Sequence, residues 1–148
     1  MTVEDRLEIL EVIGRYAYAW DEKNAELYAS WFTEDGILEV YTRGQDQPAI
    51  RADGRDAIMR WARGIHRGEL EGMRPPDSAE RTRHAPGVTV FDELNGELAR
   101  TRTMLFETRV AGGASAPVPQ VAGVYTDEWR CTAEGWRLVH RTLNFDRR

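Results

Sequence analysis

The order of the secondary-structure patterns is the feature of this sequence that most limits its fold. Apolar residues recur at helical spacing in three segments of the first half, and strand-type runs separated by turn residues fill most of the chain after residue 81. Helices followed by a run of strands are typical of α+β domains, whereas α/β domains alternate the two. The sequence therefore predicts an α+β fold, in which a meander of strands curls around N-terminal helices and leaves a cavity between them.

Caps, periodicity and turn residues set the expected boundaries of the elements. Thr2 and Asp5 have the spacing of a capping box, which predicts a first helix over residues 3–20. Glycines and prolines make residues 68–80 a loop, and we expect residues 68–78 to close over the cavity as a lid. The other predicted elements are helices over 25–31 and after residue 56, a strand over 37–41, a loop over 45–51, and strands over 82–90, 99–110, 120–131 and 136–145.

Composition and charge narrow the class of protein. A chain of 148 residues suffices for one hydrophobic core, so we expect a single domain over residues 1–148. The net charge of −5 speaks against a nucleic-acid-binding surface, and the mixture of 41% apolar and 30% charged residues predicts a globular protein without a membrane span. Cys131 is the only cysteine, so neither a disulfide nor a zinc site is expected. The first residues lack the apolar core of a secretory signal, which indicates a cytoplasmic protein.

Two parts of the sequence resemble a known family. Residues 15–36, which run through an aromatic stretch and two acidic segments, are similar to the opening of the SnoaL-like group in the nuclear transport factor 2-like superfamily. Residues 125–129 and 134–138 resemble the closing hairpin of that group. The resemblance covers nearly the whole chain. It implies a cone-shaped α+β barrel: a curved antiparallel sheet that wraps around the N-terminal helices and encloses a cavity.

The resemblance also implies a catalytic pair. Scytalone dehydratase, bile-acid dehydratase and hexachlorocyclohexane dehydrochlorinase belong to this superfamily and use an aspartate at the end of the first helix with a histidine on a strand. Asp21 and His84 fall on those two positions. Tyr16 matches a tyrosine in the site of bile-acid dehydratase, and Arg141 matches an arginine on the last strand of the dehydrochlorinase. Glu107 or its neighbours stand roughly where scytalone dehydratase has a second histidine, so scytalone itself is not the expected substrate.

These residues predict proton abstraction from carbon without a cofactor. Asp21 would orient one nitrogen of His84, the other nitrogen would remove a proton, and Tyr16 or Arg141 would stabilise the developing charge. The expected function is a dehydratase-type lyase that acts on a small hydrophobic oxygenated ring compound. An isomerase or cyclase with the same dyad is the alternative, and so is a non-catalytic module that binds a ligand or serves as an oxygenase small subunit.

Aromatic side chains are the candidates for the wall of the cavity. Tyr18, Trp20, Tyr41 and Trp61 are predicted to contact the substrate. Tyr16 and Tyr18 lie on different faces of the first helix, so we expect only one of them to point inward.

The last strands carry two further expectations. His140 and Arg141 must face opposite sides of their strand, so only one of them can reach the cavity. Residues 101–110 and 121–131 carry apolar side chains at both parities, which indicates that both faces of the sheet are covered. This pattern predicts a homo-oligomer, either a dimer or a trimer.

Overall fold

The computed structural model describes residues 2–73, 77 and 79–146, and its element order confirms the predicted α+β class. The lid predicted over residues 68–78 falls partly on residues 74–76 and 78, which lie outside the described part of the chain. The helices are α1 (Val3–Asp21), α2 (Ala25–Ser30) and α3 (Arg55–Arg67). The strands are β1 (Phe32–Thr42), β2 (Ile50–Asp53), β3 (Arg81–Leu94), β4 (Leu98–Val110), β5 (Val118–Thr132) and β6 (Gly135–Phe145).

The six strands form one sheet with the order β2-β1-β6-β5-β4-β3. Strands β2 and β3 are its edges, so the curved sheet stays open. The expectation of a wholly antiparallel sheet needs one correction, because β1 and β6 run parallel while the other neighbouring pairs are antiparallel. Parallel strands need a long connection, and the chain between β1 and β6 contains a helix and four strands. Local patterns do not reveal such a distant partner.

Strand β1 is longer than its apolar run. It begins at Phe32 rather than at residue 37, and its register with β6 shifts between Phe32 and Ile37. The acidic residues before Gly36, which lie between the predicted helix over 25–31 and the predicted strand over 37–41, therefore belong to a bulge within strand β1. A Cβ atom on Gly36 would lie 2.9 Å from the Cβ atom of Phe32, so only glycine fits at this position of the bulge. Strand β2 likewise occupies the end of the predicted loop and pairs with β1.

Helix α1 begins at the predicted capping box. The Thr2 side chain accepts a hydrogen bond from the Asp5 backbone N–H, and the Asp5 carboxylate accepts one from the Thr2 backbone N–H. Every third or fourth side chain of the helix is then buried, which gives it one apolar face against the sheet. This face consists of Ile9, Val12, Ile13, Tyr16, Ala17 and Ala19. The packing brings the last residue of α1, Asp21, next to strand β3.

Strand β4 shows how the sheet separates its two faces. Thr103, Leu105 and Glu107 are buried and face the helices, while the side chains between them are exposed. Met104 and Phe106 on the outer face are 60% and 45% exposed. The homo-oligomer expected to cover this face stays a prediction. The inward-facing side chains of β4 thus run from apolar Leu105 in the core to the charged Glu107.

Candidate active site

A pocket of about 680 Å³ lies between the helices and the inner face of the sheet. Its volume is typical of sites that bind small molecules. Much of its wall is aromatic, and the contributing rings come from helices α1, α2 and α3 and from strands β5 and β6. These rings are Tyr16, Trp20, Tyr28, Trp61, Tyr125 and Phe145. The polar side chains are concentrated near the ends of β3 and β4, so the pocket has a distinct apolar wall and a polar wall.

Asp21 and His84 are held together at the polar wall. His84 Nδ1 lies 2.7 Å from Asp21 Oδ1, and the His84 backbone N–H donates to Asp21 Oδ2 at 2.8 Å. The Thr82 hydroxyl donates a further hydrogen bond to Asp21 Oδ1 at 2.9 Å. These three contacts fix the carboxylate and the ring against each other. The hydrogen bond expected from the sequence is therefore present, and Nδ1 carries a proton because the carboxylate can only accept.

Glu107 approaches the same imidazole from the opposite side. It stands directly across from His84 in the register of β3 and β4, and its Oε2 atom lies 3.2 Å from His84 Nε2. Both side chains line the pocket and are about one-tenth exposed. The imidazole is thus flanked by two carboxylates, one at each ring nitrogen. Sequence reasoning placed Glu107 near a family position but gave it no role, although the alternation of β4 puts it in the inward row.

The two carboxylates set the charge of His84. Burial favours the neutral ring, but the hydrogen bond with Asp21 and the polar contact with Glu107 outweigh burial and raise the pKa of His84 from 6.5 to about 9. Burial alone would raise the pKa of Asp21, yet the hydrogen bonds from His84 lower it overall. At neutral pH the site therefore holds an imidazolium between two carboxylates, a combination with one negative charge in excess.

Arg141 is buried and does not line the pocket, which corrects its predicted place in the site. Its Nε and Nη2 atoms each donate to Asp127 at 2.7 Å, and both side chains are fully buried. The guanidinium carbon lies 4.1 Å from the ring centres of both Tyr16 and Tyr125. A guanidinium buried this deeply needs a counter-charge, and Asp127 supplies it, while the rings of Tyr16 and Tyr125 lie between the guanidinium and the pocket that they line. His140 points to the outer face and contacts Glu39.

Tyr16 lines the pocket, and its hydroxyl is hydrogen-bonded to that of Tyr28. Burial raises the pKa of both groups above the ordinary value for tyrosine. Both phenols therefore stay protonated, and because one hydroxyl donates to the other, one proton of the pair remains available to a substrate. Their rings are tilted by 37° with centres 4.3 Å apart, and this contact holds the hydroxyl pair at the base of the pocket, whose wall both residues line.

Two of the four predicted wall residues lie elsewhere. Tyr18 is 69% exposed, because it lies on the face of α1 that points away from the sheet. Tyr41 does not line the pocket, because Val40 beside it points inward and neighbouring side chains of a strand alternate. Trp20 and Trp61 do line the pocket, with ring centres 5.4 Å apart.

No group of three or more metal-ligating side chains with suitable geometry occurs in residues 2–73, 77 and 79–146. Over the same residues, no helix is both long and apolar enough to cross a membrane.

Residues 1–142 match the family model of the SnoaL-like domain, so the chain belongs to this family. The SnoaL-like family includes polyketide cyclases and dehydratases. No curated protein matches the sequence of this chain.

Solved structures from Novosphingobium aromaticivorans have the same fold. An NTF2-like protein with a cystatin-like fold is 28% identical, with a TM-score of 0.75 over 97% of this chain and 82% of that one. A candidate scytalone dehydratase is 20% identical, with a TM-score of 0.71 over 97% and 88% of the two chains. The β subunit of a candidate aromatic-ring-hydroxylating dioxygenase is 17% identical, with a TM-score of 0.76 over 94% and 87%. The fold is therefore the nuclear transport factor 2-like, cystatin-like fold, and it is shared by proteins of different function.

Proposed function

We propose that this protein is a cofactor-independent lyase of the dehydratase type, which removes water from a hydroxylated hydrophobic ring compound by proton transfer at His84. One observation carries this proposal: the His84 imidazole lies in the wall of an apolar pocket and is held by Asp21 through Nδ1. Its Nε2 atom lies 3.2 Å from Glu107 Oε2, and both side chains belong to the pocket wall that a substrate would contact. Membership of a family that includes dehydratases supports the same reaction class.

The charge of His84 revises its expected role. The sequence suggested that this imidazole takes a proton from carbon, but a ring with a pKa of about 9 already carries that proton at neutral pH. We therefore assign His84 the role of the acid, which gives its Nε2 proton to the departing hydroxyl group. Asp21 keeps the ring oriented and stabilises its positive charge before the transfer.

The remaining pocket residues suit a flat ring with a carbonyl group. Elimination next to a carbonyl places negative charge on the carbonyl oxygen, and a hydrogen-bond donor lowers the energy of that charge. The hydroxyl pair of Tyr16 and Tyr28 provides such a donor at the base of the pocket. Trp20 and Trp61 offer apolar ring faces in the same pocket, which favour a substrate with a flat apolar ring system.

A panel of cyclic β-hydroxy ketones with one to three rings tests this function. We expect the wild-type protein to convert a member of the panel to the unsaturated ketone, seen in mass spectra as the loss of one water. His84→Gln should reduce the rate by about 10²- to 10⁴-fold, since a general acid contributes this much. His140→Gln is the matched control, because His140 lies on the outer face against Glu39 and should leave the rate unchanged.

The outcomes of this experiment separate the candidate functions. Equal rates for the wild type and His84→Gln would contradict the proposed role of His84. A product of unchanged mass with a shifted double bond would identify an isomerase that uses the same residues. Binding of panel members without conversion by the wild type would favour the non-catalytic ligand-binding module.

A further inference from the structure

We propose that Glu107 is a second catalytic residue of this site: its carboxylate takes the proton from the substrate carbon while His84 gives a proton to the leaving oxygen. This inference rests on the proposed elimination reaction and adds the base that the reaction requires. It follows from the arrangement of Glu107, His84 and Asp21 around one end of the pocket.

Glu107 lies beside the proposed acid and in the wall of the pocket, which is the position that a base for the substrate requires. Strands β3 and β4 pair His84 directly with Glu107, both side chains reach the pocket wall, and Glu107 Oε2 lies 3.2 Å from His84 Nε2. Asp21 lies behind the ring at Nδ1 and does not line this pocket. Only one of the two carboxylates that flank the imidazole can therefore touch a bound substrate.

The other described carboxylates of the pocket wall have different partners. Glu80 forms an ion pair with Arg109. Asp77 Oδ1 accepts a hydrogen bond from the Ala79 backbone N–H at 2.9 Å. Glu107 contacts His84, whose proposed role is proton transfer, and its Oε2 atom lies 3.2 Å from Nε2 in the wall of the same pocket. Among the described residues, it has the best placement for a base.

The state of His84 makes a separate base necessary. An imidazolium has no free lone pair on either nitrogen, so it can donate a proton but cannot accept one. The charged groups around the ring are Asp21 from α1 and Glu107 from β4, with the Glu80–Arg109 ion pair further along the same wall. Both direct neighbours are carboxylates, and both favour the protonated ring. Proton removal from carbon then falls to the carboxylate that faces the pocket.

The proposed step balances without any additional reagent. Glu107 accepts the proton of the C–H bond, the electron pair of that bond forms the C=C bond, and the C–O bond breaks. The departing hydroxyl takes the Nε2 proton of His84 and leaves as water. Glu107 is then protonated and His84 is neutral. A proton transfer from Glu107 to Nε2 across their 3.2 Å contact restores the starting state.

The same arrangement limits the class of substrate. Asp21 and Glu107 carry two negative charges and His84 one positive charge, which leaves one negative charge in excess at the polar wall. A carboxylate near the reacting carbon would be repelled in this apolar surrounding. We therefore expect a neutral hydroxy ketone to be converted faster than an analogue that carries an acid group at the same ring position.

Glu107→Gln is the variant that tests this proposal, since it keeps the shape of the side chain and removes its charge and basicity. With the panel member that the wild type converts, kcat should fall at least about 100-fold while KM changes less than about threefold. Glu107→Asp retains a carboxylate and should recover part of the lost rate. Glu128→Gln on strand β5 is the matched control, because that side chain is half exposed and lies outside the pocket.

Titration of His84 by NMR gives a second readout that needs no substrate. In Glu107→Gln the midpoint should fall by at least one pH unit, since one of the two flanking charges is lost. An unchanged midpoint, or a kcat within threefold of the wild type, would overturn the role of Glu107. If His84→Gln is inactive while Glu107→Gln is active, the proposed function stands without this inference. Full activity in both variants would contradict the proposed function as well.

Discussion

Replacing Asp127 with alanine is expected to lower the free energy of unfolding by about 3–5 kcal/mol, which is the usual cost of leaving a buried charge without its partner. Arg141 donates two hydrogen bonds of 2.7 Å to Asp127, and neither side chain is exposed to water. The variant would retain the guanidinium between the rings of Tyr16 and Tyr125 without a counter-charge. Urea unfolding followed by tryptophan fluorescence measures the loss.

A paired variant on the surface controls for the loss of an ordinary ion pair. Asp92 makes two hydrogen bonds with Arg102 at 2.7 and 2.8 Å, but both side chains are about half exposed. Asp92→Ala should therefore cost no more than about 1 kcal/mol. Equal losses in Asp92→Ala and Asp127→Ala would contradict the structural role assigned to the Arg141–Asp127 pair.

The free energy of unfolding should fall as the pH rises from 6.5 to 9, and His84→Gln should remove most of this fall. The folded protein raises the pKa of His84 to about 9, so the stabilisation from binding its proton is complete below pH 6.5 and disappears as the pH passes through 9. A shift of this size corresponds to about 3 kcal/mol. Urea unfolding of both proteins at several pH values measures the difference, and other titrating groups cancel in the comparison. A difference that is constant from pH 6 to 10 would contradict the charge assigned to His84.

Helix boundaries and the order of the elements other than β2 follow from local sequence. The capping box of Thr2 and Asp5 and the spacing of apolar residues suffice to place α1, because the interactions that define a helix lie within a few residues. The pairing of β1 with β6 is different, since about a hundred residues separate the two strands and the sequence of neither strand indicates its partner. The acidic stretch before Gly36 resembles a turn, but contacts of its flanking residues with β6 and with Gly54 and Arg55 keep it in the strand.

The family pattern sufficed to predict which positions carry the site residues. It did not suffice where the direction of a side chain determines whether that residue reaches the pocket. Asp21 at the end of α1 and His84 on β3 form a hydrogen bond, as the resemblance implied. Tyr18 and Arg141 have suitable chemistry, but one points to water and the other is enclosed by Asp127 and two rings. Tyr41 is one position out of phase with the inward row of its strand.

The position of Glu107 in the pocket was only partly predictable from the sequence. Alternation in β4 indicates that it points inward with Thr103 and Leu105, and a glutamate in an inward row of a small domain is unusual. Its partner could not be inferred, because the register between β3 and β4 contains irregularities after Pro86 and Phe91. A change of one residue in that register would have turned Glu107 away from His84.

The protonation state of His84 at neutral pH tests the central claim most directly. Nitrogen-15 NMR of the wild-type protein at pH 7.5, with His84 assigned by comparison with His84→Gln, distinguishes an imidazolium from either neutral tautomer. The structure predicts that both ring nitrogens carry a proton, because Asp21 and Glu107 flank them and raise the pKa to about 9. A neutral His84 ring at this pH, with a proton on one nitrogen only, would contradict the account.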